Sequence, residues 1–274
     1  MPLNHADFDY VRSLVRQRSA IVLEDDKSYL VESRLLALAR RVCIPSAEDL
    51  VQQLRASADA RLRDQVVEAM TTNETLFFRD IKPFEALAQV VLPDLMKRRA
   101  QERQLQIWCA ACSSGQEPYS IAMTLREQFL GSEGWRFSIL ATDLSREMVE
   151  RAQQARYNQA EVNRGLPARH LVKYFQREGL EWQLKNELRQ MVQFRVMNLT
   201  DAWPFLPRAD VVFLRNVLIY FDVPTKKQIL GKVRKILQPD GYLFLGGAET
   251  TLNIDDTFER IELDRAGCYR LRHR

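Results

Sequence analysis

The sequence predicts an α/β protein: a doubly wound, mostly parallel sheet behind a small helical domain, with a short antiparallel β element inserted. Three observations carry this. Apolar strand-like runs at 105–110, 137–142, 192–197, 209–214 and 242–245 alternate with helical patterns, as in a parallel sheet joined by crossovers. The first 70 residues show helical spacing with few glycines or β-branched runs. Between 157 and 190 the pattern breaks into short mixed segments around a turn glycine, Gly179. At 274 residues the chain has room for one large or two small domains. The expected division is a helical domain and linker at 1–80 and a sheet domain at 81–274, with 157–190 inserted.

Taken in order, Phe8, Val11, Leu14 and Val15 share one helix face. Residues 29–42 form an amphipathic helix with Leu30, Leu35, Leu38 and Val42 expected inward. Arg34 and Arg41, seven residues apart, share another face, and Arg40 flanks it. Ser46 is a candidate N-cap with Asp49 three residues on, and a further helix covers 60–70. The polar run 71–75 then leads into Leu76, Phe77, Phe78 and Arg79. It reads either as a cap with a hydrophobic anchor or as a lid carrying an arginine into a cleft. The helical pattern over 82–99 contains Pro93, where a kink or break is expected.

The central stretch is 107–125, IWCAACSSGQEPYSIAMTL: strand, tight glycine turn at Gly115, then a helix with Pro118 in its first turn. Such turns lie at the carboxyl ends of the strands, where ligands bind. The next strand ends in Asp143, placed to accept hydrogen bonds from ribose hydroxyls. G-x-G-x-x-G is absent, no basic residue sits in the turn, and Glu117 stands close by. A carboxylate there repels pyrophosphate and attracts an ammonium or sulfonium, which suits S-adenosylmethionine. The alternative is an ordinary βαβ turn with a glutamate at the helix start.

Downstream, Gly179 and the alternation of 181–184 predict a hairpin, and 224–237 a helix stopped by Pro239-Asp240-Gly241. Residues 258–263 and 268–271 are expected to pair as a final antiparallel hairpin.

Hydrophobic content of 46% and charged content of 28% describe a globular chain. No apolar run approaches the roughly 20 residues of a membrane span. The first ten residues include acids and no apolar core, so no signal peptide is expected and the cytoplasm is the expected compartment. Net charge is +4, yet residues 151–195 alone carry nine basic and four acidic side chains. Without stacking aromatics that stretch fits an acidic protein surface, or a solvated basic face, better than nucleic acid. Cys109 and Cys112 form C-x-x-C, with no second pair to complete a metal site. Packing at a strand end is the preferred reading and a redox pair the minor one. No metal and no oligomer are expected.

Five motifs stand in order: TTNETLFFR at 71–79, AACSSGQEPYSIAM at 110–123, ATDLS at 141–145, Asn198-Leu199 followed by LRNVLIYFD at 214–222, and QPDGYLFLGGAE at 238–249. Together they resemble the CheR-type chemoreceptor methyltransferases, and the likeness covers nearly the whole chain. The resemblance implies a class I S-adenosylmethionine methyltransferase fold, Rossmann-like, with an inserted β-subdomain. It implies transfer of a methyl group to receptor glutamates, giving γ-methyl esters. It also implies that Asn73, Thr75 and Arg79 reach the cofactor, that Glu117 holds its amino group, and that Asp143 holds its ribose. Asn198, Leu199, Arg215 and Asn216 would line the adenine and methionine portions. Arg79 and Tyr220 would stand at the reaction, and Arg34, Arg40 and Arg41 would dock the cytoplasmic helices of a methyl-accepting receptor. In the second helix Ala37 and Leu38 interrupt the expected arginines, and the insertion is short around Arg177-Glu178-Gly179. From that short loop the chain is expected to lack the tether to a receptor's C-terminal pentapeptide. Competing readings are a methyltransferase for RNA or a small molecule, a non-catalytic cofactor-binding adaptor, and a redox protein.

A receptor glutamate has a reference pKa of about 4.3 and needs no general base. Accordingly His5, His170 and His273 all lie outside the motifs.

Overall fold

The computed structural model describes residues 3–129 and 134–272, so His273 lies outside the described residues. The chain packs as two units. One runs to Thr72 and includes Tyr220–Thr225, and the other holds Asn73–Ile219 and the chain from Lys226 on.

The helical unit contains α1 (His5–Ser19), α2 (Ser28–Arg41), α3 (Ala47–Ala56) and α4 (Ala60–Ala69). Three are capped by side chains that satisfy the first free amides: Asn4 accepts from Asp7 N–H, Ser46 from Asp49 N–H, and Asp59 from Arg61 and Leu62 N–H. The buried face of α2 is Val31, Leu35, Leu38 and Ala39, while the expected Leu30 and Val42 are only half-buried. Val31 lies one turn before Leu35. Leu30 lies five residues before it, about 140° round the helix at 100° per residue, and Val42 is already the C-cap. Within this unit Val22 N–H donates to the Tyr220 carbonyl at 3.0 Å.

In the second unit Lys82–Ala86 (α5), a π-turn at Leu87–Val91 and Leu92–Arg98 (α6) follow one another without a gap. Leu92 N–H reaches back five residues to Leu87 O. The wider turn accommodates Pro93, which lacks an N–H and crowds the preceding turn, so the expected break is absorbed locally.

The main sheet comprises β1 (Gln104–Ala110), β2 (Arg136–Asp143), β6 (Val192–Val196), β7 (Ala209–Leu214), β8 (Leu237–Leu245), β9 (Phe258–Ile261) and β10 (Cys268–Leu271). Their order is β6-β2-β1-β7-β8-β10-β9, parallel through β8 and antiparallel for the final hairpin. The chain winds outward both ways from β1, so the switch point lies between β1 and β7. Arg195, Thr142, Ala110, Leu214 and Leu245 pair in one row across five strands. One residue beyond that row stand Asp143, Ala111, Arg215 and Gly246. The core beneath is apolar, with Phe213 stacked on Phe244 at 4.7 Å.

Strand β8 starts at Leu237, earlier than the expected 242. Ala209 pairs with Leu237 and Val211 with Tyr242, so Pro239-Asp240-Gly241 sits in a bulge within the strand. Arg99 fastens that bulge, donating to Asp240 at 2.6 and 2.9 Å and to Asp210 at 2.9 Å.

The insertion is larger than a hairpin. Beside β4 (Phe175–Glu178) and β5 (Glu181–Leu184) lies a third strand, β3 (Arg156–Asn158), giving the antiparallel order β3-β5-β4. Short helices at Gln159–Asn163, Ala168–Tyr174 and Asn186–Arg189 complete it. Three residues are too few for the period-2 alternation that marks a strand, so β3 left no signal.

Residues 73–80, grouped with the helical part on sequence, pack in this second unit. Phe77 is fully buried and meets Tyr157 at 5.0 Å and Phe175 at 5.7 Å, both edge-on. A Cβ on Gly165 would lie 2.0 Å from Phe77 O, at a φ of +84°. Gly165→Ala is therefore expected to cost about 2–4 kcal/mol in denaturant unfolding. Gly179→Ala, at φ +63° with nothing within 4 Å, should cost only about 1 kcal/mol. Equal effects would mean that backbone angle alone, and not the pressure on Phe77, sets the cost.

Candidate active site

Helix α7 (Gln116–Gln128) starts directly after the β1 turn. That turn takes left-handed angles at Ala111 (φ 54°), Ser113 (φ 49°) and Gly115 (φ 94°), where the sequence pointed only to the glycine. Non-glycine residues held there carry strain, and surrounding bonds must maintain it. Cys112 N–H donates to Thr142 O at 2.9 Å, and Ser113 N–H to Asp143 Oδ2 at 2.7 Å. The turn's amide thus serves the chain's own carboxylate. Asp143 Oδ1 accepts from Ser145 N–H at 2.9 Å, which fixes the carboxylate at the mouth of α8 (Arg146–Gln154). From the insertion, Tyr157 donates its hydroxyl to Ser114 O at 2.9 Å.

Arg215, one residue beyond β7, has a fully buried side chain. It donates to Glu117 Oε2 at 2.5 Å, to Asp80 Oδ2 at 2.7 Å and to Arg79 O at 3.0 Å. Cys109 Sγ donates to the other Glu117 oxygen at 3.3 Å. One guanidinium thus joins β7, α7 and the 73–80 segment. That segment is held twice more: Ser113 Oγ donates to Asn73 O at 2.8 Å, and Phe78 N–H to Ser120 Oγ at 2.9 Å. Arg79 donates to Glu74 O at 3.0 Å and stays half-exposed. Burial drives both thiols of Cys109 and Cys112 well above the ordinary range, and both are free. A neutral thiol is a poor nucleophile, so the redox reading loses its chemistry.

Asn198 and Leu199 follow β6, where Met197 N–H donates to Asp143 O at 2.8 Å. Lys232 ties down the next loop with Nζ bonds to the carbonyls of Leu199, Thr200 and Asp201 at 2.6–3.0 Å. Asn216 takes φ 57° at the start of the β7 turn.

The structure therefore gathers Asn73, Arg79, Glu117, Asp143, Arg215 and Asn216 around the ends of β1, β2 and β7, with Thr75 half-buried in the same segment and Asn198-Leu199 beside Asp143. Tyr220 packs with the helical unit, where it lies within electrostatic reach of Arg34. Arg34 donates to Met70 O at 2.7 Å and to Thr72 Oγ1 at 3.1 Å, while Arg40 and Arg41 are exposed. Sequence reading assigned no part to Ser113, Asp80, Lys232 or Glu249. Only Glu249 left a signal, as the acid closing the last motif after a Gly-Gly turn.

A family model described as CheR methyltransferase, SAM binding domain, matches residues 73–266, and one described as CheR methyltransferase, all-alpha domain, matches residues 6–71. The chain belongs to the CheR methyltransferase family. Chemotaxis protein methyltransferase 1 of Pseudomonas aeruginosa is 43% identical over 274 residues, covering 98% of this chain and 99% of its own. Chemotaxis protein methyltransferase Cher2 of Pseudomonas putida is 41% identical, covering 96% of each chain. The similarly named protein of Vibrio parahaemolyticus is 39% identical, again over 96% of each.

The second unit of this CheR-family chain is thus a methyltransferase domain that binds S-adenosylmethionine. Its residues fit that cofactor. Two buried carboxylates stand close together, Asp143 at the end of β2 and Glu117 in the first turn of α7, and Arg215, the only buried arginine among the described residues, is already committed to Glu117. That charge balance suits a ligand with ribose hydroxyls, an ammonium and a sulfonium, and suits a pyrophosphate poorly. No helix of the described residues is long and apolar enough to cross a membrane.

Proposed function

We propose that this chain methylates glutamate side chains of chemoreceptors, forming γ-methyl esters that serve chemotactic adaptation. The names of its relatives support the receptor. The chemistry is supported by one feature of the site: it offers carboxylates and arginines and, among the described residues, no histidine placed to take a proton. His170 is buried against Phe78 and Tyr174, and neither ring nitrogen has a hydrogen-bond partner among the described residues. Such a site suits a nucleophile that arrives ionised, as glutamate does near neutral pH.

When bound, S-adenosylmethionine supplies a methyl on a cationic sulfur that departs as a neutral thioether. Asp143 would hold the ribose and Glu117, steadied by Arg215, the amino group. Arg79 would pair with one oxygen of the receptor carboxylate, leaving the other to approach in line at roughly 3–3.5 Å. Tyr220 would orient the nucleophile or the methyl. Arg40 and Arg41, both exposed on α2, offer charge to the acidic receptor helices, and Arg34 also donates to Met70 O and Thr72 Oγ1. The short β4–β5 turn supports a protein without pentapeptide tethering.

The test is methyl transfer from labelled S-adenosylmethionine to chemoreceptor-containing membranes, followed by mild base. Release of the label as methanol is expected of a carboxyl ester. Label that stays on protein would replace glutamate by another nucleophile, and no transfer despite cofactor binding would favour an adaptor. Arg79→Ala should remove at least about 100-fold of the activity while cofactor binding survives in part. Complete loss of binding would place Arg79 on the cofactor alone.

A further inference from the structure

Glu249 is 8% exposed, and its carboxylate is a convergence point for backbone amides. Oε1 accepts from Val217, Leu218 and Ile219 N–H at 2.9, 2.7 and 3.3 Å. Oε2 accepts from Asn216 N–H at 2.8 Å and Gly246 N–H at 2.7 Å. Four successive amides turn toward one point because Asn216 adopts a left-handed angle directly after β7. Such a concavity of N–H groups is an anion site. Here the chain fills it with its own carboxylate.

The fit is close. A Cβ on Gly246 would lie 2.8 Å from Glu249 Oε2 and 2.7 Å from Asn216 Nδ2. Only glycine lets the end of β8 approach the turn so nearly. The turn begins at Asn216, a residue assigned to the cofactor, so one carboxylate sets the path of the chain that carries it.

We infer that Glu249 is a positioning residue for methyl transfer, an internal anion that shapes the 216–219 turn and through it the placement of Asn216. This rests on the function proposed above. Glutamine at 249 has nearly the same volume, but its amide must set donors against at least two of the five N–H groups. The turn then reorients without loss of the core.

The experiment compares wild type, Glu249→Gln and Gly246→Ala well below their melting temperatures. Hydrogen exchange of the 216–219 amides should quicken about tenfold or more in both variants. With receptor membranes, kcat should fall about 10–100-fold while KM for receptor stays within about twofold. Affinity for S-adenosylhomocysteine, by calorimetry, should weaken about three- to tenfold, since Asn216 is one contact among several. Unchanged exchange overturns the inference. So does faster exchange with kcat intact, since Glu249 would then be structural only. Should wild type fail to methylate receptors, the proposed function falls. Exchange and S-adenosylhomocysteine affinity then decide alone, and a change in both is required for Glu249 to keep its role.

Discussion

Arg215→Met is expected to abolish methyl transfer and to destabilise the protein by about 3–5 kcal/mol, the cost of removing one partner from a buried ion pair. For a chain of this size that lowers the melting temperature by about 10 °C. The effect comes from what is left behind. Glu117 is 8% exposed, and among the described residues its carboxylate would keep the weak Cys109 thiol donor and lose its cationic partner. The link to Asp80, whose side chain is 54% exposed, adds little energy because solvent screens it. Its role is to fix the backbone after Arg79. The pairing predicts a specific rescue. Glu117→Gln combined with Arg215→Met removes the stranded charge and should recover at least about half of the lost stability. It should not recover cofactor binding, because the acceptor proposed for the amino group is gone. Thermal unfolding of the single and double variants gives the answer. A single variant as stable as wild type would show that Glu117 is not held by Arg215.

Asp143→Ala is expected to weaken S-adenosylmethionine binding by about 30–150-fold, through loss of the two ribose hydrogen bonds proposed for it, worth about 2–3 kcal/mol together. It should also cost stability without cofactor. Asp143 accepts the amides of Ser113 and Ser145, and Ser113 is held at φ 49° partly by that bond. A buried amide left unpaired costs about 1–3 kcal/mol. The two effects separate in Asp143→Asn, whose carbonyl oxygen can keep one amide while its NH2 opposes the other. Calorimetry with S-adenosylhomocysteine and unfolding of the cofactor-free protein read them independently. Unchanged affinity in Asp143→Ala would remove Asp143 from the site.

The fold was legible where pattern is strong. Strands β1 and β7 are largely buried apolar runs bounded by polar turns, and Ser46 announced its helix through a local bond to Asp49. The glycine turn and Asp143 were visible because a tight turn and an acid at a strand end each demand particular residue types. What stayed hidden depends on contacts between distant residues. Nothing near Arg215 in sequence says that it will meet Glu117, 98 positions away. Lys232 could not be read as a clamp for 199–201, because a lysine on an amphipathic helix is ordinarily solvated. The left-handed angles of Ala111 and Ser113 escaped because neither residue type prefers them, and hydrogen bonds to β2 impose them.

The edge-on contacts of Phe77 with Tyr157 and Phe175 bear on how far this protein can be simplified. A β-subdomain inserted at the rim of a sheet looks like an optional module, removable by joining α8 to β6 with a short linker. Here it supplies two of the rings that enclose Phe77 and a hydroxyl that braces the glycine turn. Trimming it would expose an aromatic side chain two residues before Arg79. A minimal version of this enzyme therefore has to keep the insertion, and grafting a foreign subdomain in its place requires those two rings and that hydroxyl to be rebuilt.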